Sequence, residues 1–307
     1  MSDNPYDGLR SDDPYEVLCD SEDRDTWLSL RKCGIGASEA PAVMGVSSYS
    51  SKLSVAAAKL GQADEFAGNE FTKAGLRLEP FIAEWALEEM EKKGMPCGLM
   101  LVSKHFPWLF CTPDWWVMDE DKGDIPFQIK NSMIASKWDD GVPDDVMVQV
   151  QTELIVTQAP YAYVAVLLTG NRLRWSKVEP NYDLQGEIIT ETKRLWDDIQ
   201  HGNVIEADGS DASSRALKAL YPEDNGETIA LDGKYLAYAQ ELDAVNTDIA
   251  NLRSKKSTYE NELKAAIGEH TFATFSDGTG YSLKTTNRKE SISKASTFRT
   301  LRRQGEK

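Results

Sequence analysis

The sequence predicts an α/β protein. Three observations carry this. Residues 53–60 (LSVAAAKL) and 79–92 (EPFIAEWALEEMEK) have helical apolar spacing, residues 99–130 change to short β-rich runs, and residues 144–157 (DDVMVQVQTELIVT) return to a helix before a last apolar run at 161–169. Helix, three strands, helix, strand is the order of an α/β core.

Residues 1–25 read as irregular, because Asn-Pro and Asp-Pro favour turns. In the helix at 79–92, Phe81, Ile82, Trp85 and Leu87 are apolar with the glutamates mostly opposite, and Pro80 suits a first helical turn. Strands are expected at 99–104, 109–113 continuing as 115–118, 126–130 and 161–169, each bounded by Gly, Pro or Asp. Asp144 or Asp145 suits the cap of the following helix, and a further helix at about 183–200 is expected to pack outside the core. Residues 204–229, rich in Asp, Ser, Gly and Glu, read as a linker. Beyond them Tyr235, Tyr238, Leu242, Val245, Ile249, Leu252, Tyr259 and Leu263 fall on alternating three- and four-residue steps, a coiled-coil-like seam interrupted by Lys256. Gly268 closes that helix, and 272–275 with 281–285 form a hairpin about Asp277-Gly278. The expected organisation is an acidic segment 1–25, an α/β domain 26–203, a linker 204–229 and a C-terminal region 230–307.

With 41% apolar and 27% charged residues, the 307-residue chain has the composition of a soluble globular protein. It lacks both the roughly 18-residue apolar run that crosses a bilayer and a signal-peptide start, so a cytoplasmic address is expected. Cys19, Cys33, Cys97 and Cys111 form no C-x-x-C pair, and His105, His201 and His270 are scattered. That argues against zinc ribbons, iron–sulfur clamps and Ser-His-Asp chemistry, so any metal must be hard and oxygen-ligated. Net charge is −16, but residues 1–25 carry net −7 and residues 284–307 net +6. Solvated termini fit this, and so does an acidic shell around a basic channel or tail.

One constellation points to chemistry. Cleavage of a phosphodiester with a metal needs oxygen ligands that hold one or two Mg²⁺ against the phosphate, and a cation or base near the attacking water. Asp114 follows Pro113 at a strand start, while Gln128 and Lys130 are two apart and so leave one strand face together, with Ile129 pointing into the core. Glu79 on the preceding helix and Gln149-Val150-Gln151 on the following one complete the set. Trp108, Trp115, Trp116 and Trp138 surround these motifs as core or as base-stacking wedges, with Trp138 the best candidate for exposure.

GLRLEP (75–80), PWLFCTPDWWV (107–117), FQIKNS (127–132) and MVQVQTEL (147–154) resemble the YqaJ-type viral recombinases, the phage-lambda-exonuclease-like branch of the PD-(D/E)xK nucleases. GIGASEAPAVMGVSSY (34–49) is similar to that family's amino-terminal signature, a Gly-rich turn that opens a helix beside the active site. The resemblance covers about residues 27–169. It implies a PD-(D/E)xK restriction-endonuclease-like core, a mixed central sheet flanked by helices, to which this chain adds the long helix and hairpin.

The resemblance also implies roles. Asp114 would hold or bridge two metal ions, Mg²⁺ or Mn²⁺, with Glu79 as a direct or water-mediated ligand, Gln128 beside it, and Ile129 lending its carbonyl. Lys130 would orient the attacking water and help deprotonate it. Gln149 and Gln151 would brace the site or contact the DNA backbone, and Gln149 is the preferred inward residue because residues two apart on a helix face different directions. Arg31 and Ser38, seven residues apart, match the pair that holds the 5′-phosphate of the degraded strand; Thr112 and Lys137 are further contacts. The implied activity is degradation of the 5′-ended strand of linear double-stranded DNA to leave 3′ overhangs for strand-annealing recombination. A ring threaded by DNA, with a trimer favoured, and a single-strand annealing partner are implied as well.

Gln128 departs from the carboxylate expected at its position. Its amide offers Mg²⁺ one oxygen but no charge, and a unit charge pair at about 4 Å in an effective dielectric near 20 is worth about 4 kcal/mol, roughly a thousandfold in affinity. The resembled superfamily contains Gln-x-Lys variants. A weakened or inactive DNA-binding relative and a PD-(D/E)xK endonuclease therefore stand beside the exonuclease as alternatives.

Overall fold

The computed structural model describes residues 13–62, 70–287 and 299–301. The start of the expected acidic segment and most of the basic tail lie outside them. The chain divides into two compact units, Met1–Pro222 and Glu223–Lys307.

Unit 1 runs β1 (Tyr15–Asp20), α1 (Arg24–Arg31), β2 (Ile35–Gly36), α2 (Ala40–Val43), α3 (Lys52–Lys59), α4 (Glu70–Glu89), β3 (Lys93–Pro96), β4 (Leu99–Ser103), β5 (Leu109–Cys111), β6 (Trp115–Asp119), β7 (Gly123–Ser132), a 3₁₀ turn (Ala135–Trp138), α5 (Asp144–Thr157), β8 (Ala162–Leu168), β9 (Arg172–Val178), α6 (Tyr182–His201) and α7 (Asp211–Leu220). Unit 2 holds α8 (Gly233–Ile267) and the hairpin of β10 (Phe272–Thr274) and β11 (Gly280–Ser282).

The strands of unit 1 form two sheets. A mixed five-stranded sheet has the order β3-β6-β7-β8-β9, in which only the β7–β8 pair is parallel. A four-stranded sheet has the order β1-β4-β5-β2. One central sheet was expected. The run at 109–118 instead breaks at Pro113-Asp114, so that β5 joins the four-stranded sheet and β6 the five-stranded one. Proline cannot donate to a ladder, which favours a change of partner at that point.

Apolar residues on both faces of the strands cover the helices. Ile82, Ala83, Ala86 and Leu87 of α4 pack over Trp115, Val117, Phe127 and Ile129 on one face of the five-stranded sheet. On the other face Val146, Val150 and Leu154 of α5 meet Ala162, Val164 and Val166. The opposite side of α5, through Val148, Ile155 and Val156, packs with Ile35, Leu101 and Leu109 of the four-stranded sheet. Being sandwiched between sheets explains why α5 is apolar nearly all round.

Several local expectations are corrected. Pro80 lies inside α4 rather than in its first turn, because that helix extends back at least to Glu70; the missing N–H is tolerated on an exposed face. Pro143, not Asp144 or Asp145, occupies the N-cap of α5, and the two aspartates fall in its first turn. The expected irregular start contains β1, which gains ladder bonds from β4. The expected linker contains α7, capped by the Ser210 hydroxyl and packed against α3 with Ala212 and Ala216 buried.

Candidate active site

The turn Thr112-Pro113-Asp114 crosses between the sheets and presents Asp114 at the start of β6. Its Oδ2 accepts the Ile129 N–H at 2.8 Å and a hydrogen bond from the Gln128 side-chain amide. Gln128 and Lys130 leave the α5 side of β7 and both meet Gln149: Lys130 Nζ donates to Gln149 Oε1 at 2.9 Å, and Gln149 Nε2 donates to Gln128 Oε1 at 2.9 Å. The same Nε2 reaches Glu153 Oε1 at 3.1 Å. Amide orientations follow from the partners. An ammonium can only donate, so the Gln149 oxygen faces Lys130, its NH₂ faces the Gln128 oxygen, and the Gln128 NH₂ is left for the carboxylate.

Charge in this network is unbalanced. Burial, then the Asp114 charge, pushes the Glu79 carboxyl up to about 7, against the opposing effects of Lys130 and a Trp115 hydrogen bond. Burial likewise raises Asp114, opposed by Lys130, the Ile129 N–H and the Gln128 amide. Glu153 is fully buried and is pushed up to about 8, first by burial and then by Asp114. Its Oε2 has no hydrogen-bond partner among the described residues. Three carboxyls thus share one lysine.

That excess of hard, negative oxygen fits a divalent cation. Among the described residues no three Asp, Glu, His or Cys side chains form a metal cage. A cation would therefore rest on one or two carboxylates plus main-chain oxygen and water, the coordination Mg²⁺ accepts. Asp114 and Glu79 are the side chains for it and the Ile129 carbonyl the main-chain group. Gln128 is 3% exposed and its oxygen is committed to Gln149, so amide rotation would be needed for it to join.

The expected phosphate-binding residues divide. Parallel pairing of β2 with β5 carries exposed Ser38 toward the end of β5 that leads into half-buried Thr112. A Cβ at Gly34 would stand 2.7 Å from the Trp108 carbonyl, so that close approach requires glycine. Arg31 sits beside this turn through Glu39, 2.7 Å away, and stacks over Trp27. The opening helix expected here is only the four-residue α2, with Glu39 at its N-cap. Lys137 is exposed and paired with Asp145 at 2.7 Å.

Gln151 needs correction as a DNA contact. It is fully buried, donates to the Glu179 carbonyl, and accepts from the Asn181 N–H and the Gln185 amide. Its amide ties α5 to the start of α6. Trp138 is corrected too: it is buried, whereas Trp85 and Trp175 are exposed. Those two with Trp138, Arg172 and Arg174 line a recess of about 570 Å³, which none of the predicted site residues touches.

Sequence reasoning passed over Glu39, Lys59 and Glu153. Lys59, buried on α3, donates to Glu39 at 2.6 Å and to the Arg31 carbonyl at 2.6 Å. Burial alone would raise the Glu39 carboxyl, but Lys59 and Arg31 hold it below the usual range. A signal for Glu153 was present, since it is the one charged residue after the first turn of an apolar helix and stands one turn from Gln149.

Comparison with known proteins places this geometry in context. The sequence model of the YqaJ-like viral recombinase domain matches residues 26–160. The chain is 27% identical over 257 residues to the uncharacterized protein YqaJ of Bacillus subtilis (strain 168), covering 81% of this chain and 80% of that protein. Among solved structures it is similar to an alkaline exonuclease (LHK-Exo) from Laribacter hongkongensis, with 18% identity, a TM-score of 0.49, and coverage of 58% of this chain and 93% of that one. A phage related exonuclease from Haemophilus somnus 129PT aligns at 12% identity and a TM-score of 0.41, over 57% of this chain and 99% of that one. Residues 26–160 are accordingly similar to the YqaJ-like viral recombinase domain.

Proposed function

We propose that the chain is a Mg²⁺-dependent exonuclease that degrades the 5′-ended strand of linear double-stranded DNA and leaves 3′ overhangs for phage-type recombination by strand annealing. The observation that carries this reading is the carboxylate-rich network in which Asp114, Lys130 and Gln149 are joined through Gln128, with Glu79 electrostatically coupled to Asp114 and Lys130.

Asp114 and Glu79, with the Ile129 carbonyl, would hold Mg²⁺, or Mn²⁺ in its place. The bound cation would supply Lewis-acid neutralisation of the phosphate charge. Gln149 fixes the Lys130 ammonium at 2.9 Å, where it orients the attacking water and its charge favours loss of that water's proton. Gln128, in place of a carboxylate, braces Asp114 by donating to it. Arg31, Ser38 and Thr112 would receive a terminal 5′-phosphate, the Arg31 guanidinium keeping further N–H donors beyond those used by Glu39. A trimeric ring with a basic lumen reconciles DNA binding with a net charge of −16. A single-strand annealing protein would take the overhang.

Digestion of a linear duplex with a 5′-phosphate at one end and a hydroxyl at the other, in Mg²⁺ and in EDTA, tests the reading. Shortening from the phosphorylated end in Mg²⁺ alone is expected. Cutting of covalently closed circles would replace it with an endonuclease. Neutral Gln128 favours a second reading, a weakened relative; DNA binding without digestion in Mg²⁺ would select that one.

A further inference from the structure

The seam on α8 stays open to solvent along its length. Tyr235, Tyr238, Leu242, Val245, Ile249, Leu252 and Tyr259 are between 40 and 66% exposed. Their three–four spacing is a heptad repeat. It places Tyr235, Leu242, Ile249, Lys256 and Leu263 at a positions and Tyr238, Val245, Leu252, Tyr259 and Ala266 at d positions. A helix packing on a globular surface needs a broader stripe of period 3.6, whereas this narrow 3.5-residue seam matches a second helix that supercoils with it.

The flanking charges say which helix. In a parallel, in-register pair each g position faces the e position five residues on in the partner. That juxtaposes Asp248 with Arg253 and Lys255 with Glu260, and the remaining pairs, Lys234 with Ala239, Glu241 with Asn246 and Glu262 with Ile267, oppose no like charges. The antiparallel alignment with the fullest overlap keeps Asp248 beside Lys255 but sets Glu241 against Glu262 at both ends, where the parallel pair opposes no like charges. Within one helix Glu260 already lies 3.5 Å from Lys256 and 3.7 Å from Lys264, so it also screens the charge at the single polar a position. A lone lysine there costs stability but penalises shifted registers and a third strand, because each added copy brings another ammonium to the core.

We infer that α8 is a self-association element: it pairs with α8 of a second copy of this chain in a parallel, in-register, two-stranded coiled coil. This rests on residues of unit 2 alone and is independent of the nuclease reading; beside a trimeric ring it pairs α8 helices of chains from different rings, so that no α8 is left without a mate.

Thiol cross-linking in the full-length protein tests it. In a Cys33→Ser background, which leaves the buried Cys19, Cys97 and Cys111, Leu252→Cys places a thiol at a d position and Ser254→Cys places one at the outward f position. Mild oxidation should convert Leu252→Cys into a species of twice the 34.2 kDa subunit mass and leave Ser254→Cys monomeric on a non-reducing gel. Conversion should exceed two thirds of the chains, the ceiling for a three-stranded coil in which one thiol has no mate. Absence of the Leu252→Cys dimer, equal cross-linking at both positions, or conversion that stops at two thirds would each overturn the proposal. Circular dichroism of both variants checks that α8 is intact. As a second readout, Asp248→Arg should lower cross-linking at residue 252 several-fold, and adding Arg253→Asp should restore it.

Discussion

Gln128 donates its amide hydrogen to the Asp114 carboxylate, at the same oxygen that accepts the Ile129 N–H. A residue that superficially weakens a cation site by removing a charge therefore also steadies the carboxylate that remains. It lets the network persist without an ion, because a glutamate at that place would set two acceptors against each other.

Replacing Gln128 with Glu should reverse that balance. The new carboxylate can still accept from Gln149 but cannot donate to Asp114, so the variant should melt lower than the parent in EDTA and gain more on adding Mg²⁺. Calorimetric titration should show tighter Mg²⁺ binding, up to roughly a thousandfold if the full charge interaction is realised. Cleavage should be preserved or raised.

Asp114→Ala should abolish digestion of linear duplex in Mg²⁺, with a fall of at least roughly a thousandfold for the loss of a unit charge at the cation. The Ile129 N–H and the Gln128 amide also lose their acceptor. Undiminished digestion would remove Asp114 from the site.

Glu153 gives the site a pH signature. Its carboxyl is held at about 8 against an ordinary 4.5, so between those values the folded chain keeps a proton the unfolded chain has lost. Folding takes up a proton across that window. Stability in EDTA should therefore fall as pH rises through it and show no further loss from this group above. Glu153→Gln should flatten that slope and stabilise the protein at alkaline pH by on the order of 5 kcal/mol at most. Urea denaturation at several pH values would read it, and identical slopes in both proteins would refute it.

Gln151→Ala separates scaffolding from recognition. It removes the partner of the Asn181 N–H and the Glu179 carbonyl at the partly buried junction of α5 and α6, a cost of about 1–2 kcal/mol in urea denaturation. Affinity for a DNA end should stay unchanged at temperatures where the variant is folded. A selective loss of DNA binding would return Gln151 to the interface.

Local periodicity was enough for much of this molecule. The bounds of α5, the length of α8 and the hairpin turn at Asp277-Gly278 follow from spacing and turn chemistry among near neighbours in the chain. Motif order likewise brought out Glu79, Asp114, Lys130 and Gln149, because a two-residue step on a strand puts alternate side chains on one face wherever that strand is placed. Which face meets which helix is not a local property. Placement of β5 and β6 in different sheets, burial of Gln151 and Trp138, the turn of the Gln128 amide and the approach of Glu153 to Asp114 depend on contacts between segments tens of residues apart. Hydrogen bonds and desolvation act on the atoms brought together, and those partners exist only once strands have paired and α5 has been enclosed between the two sheets.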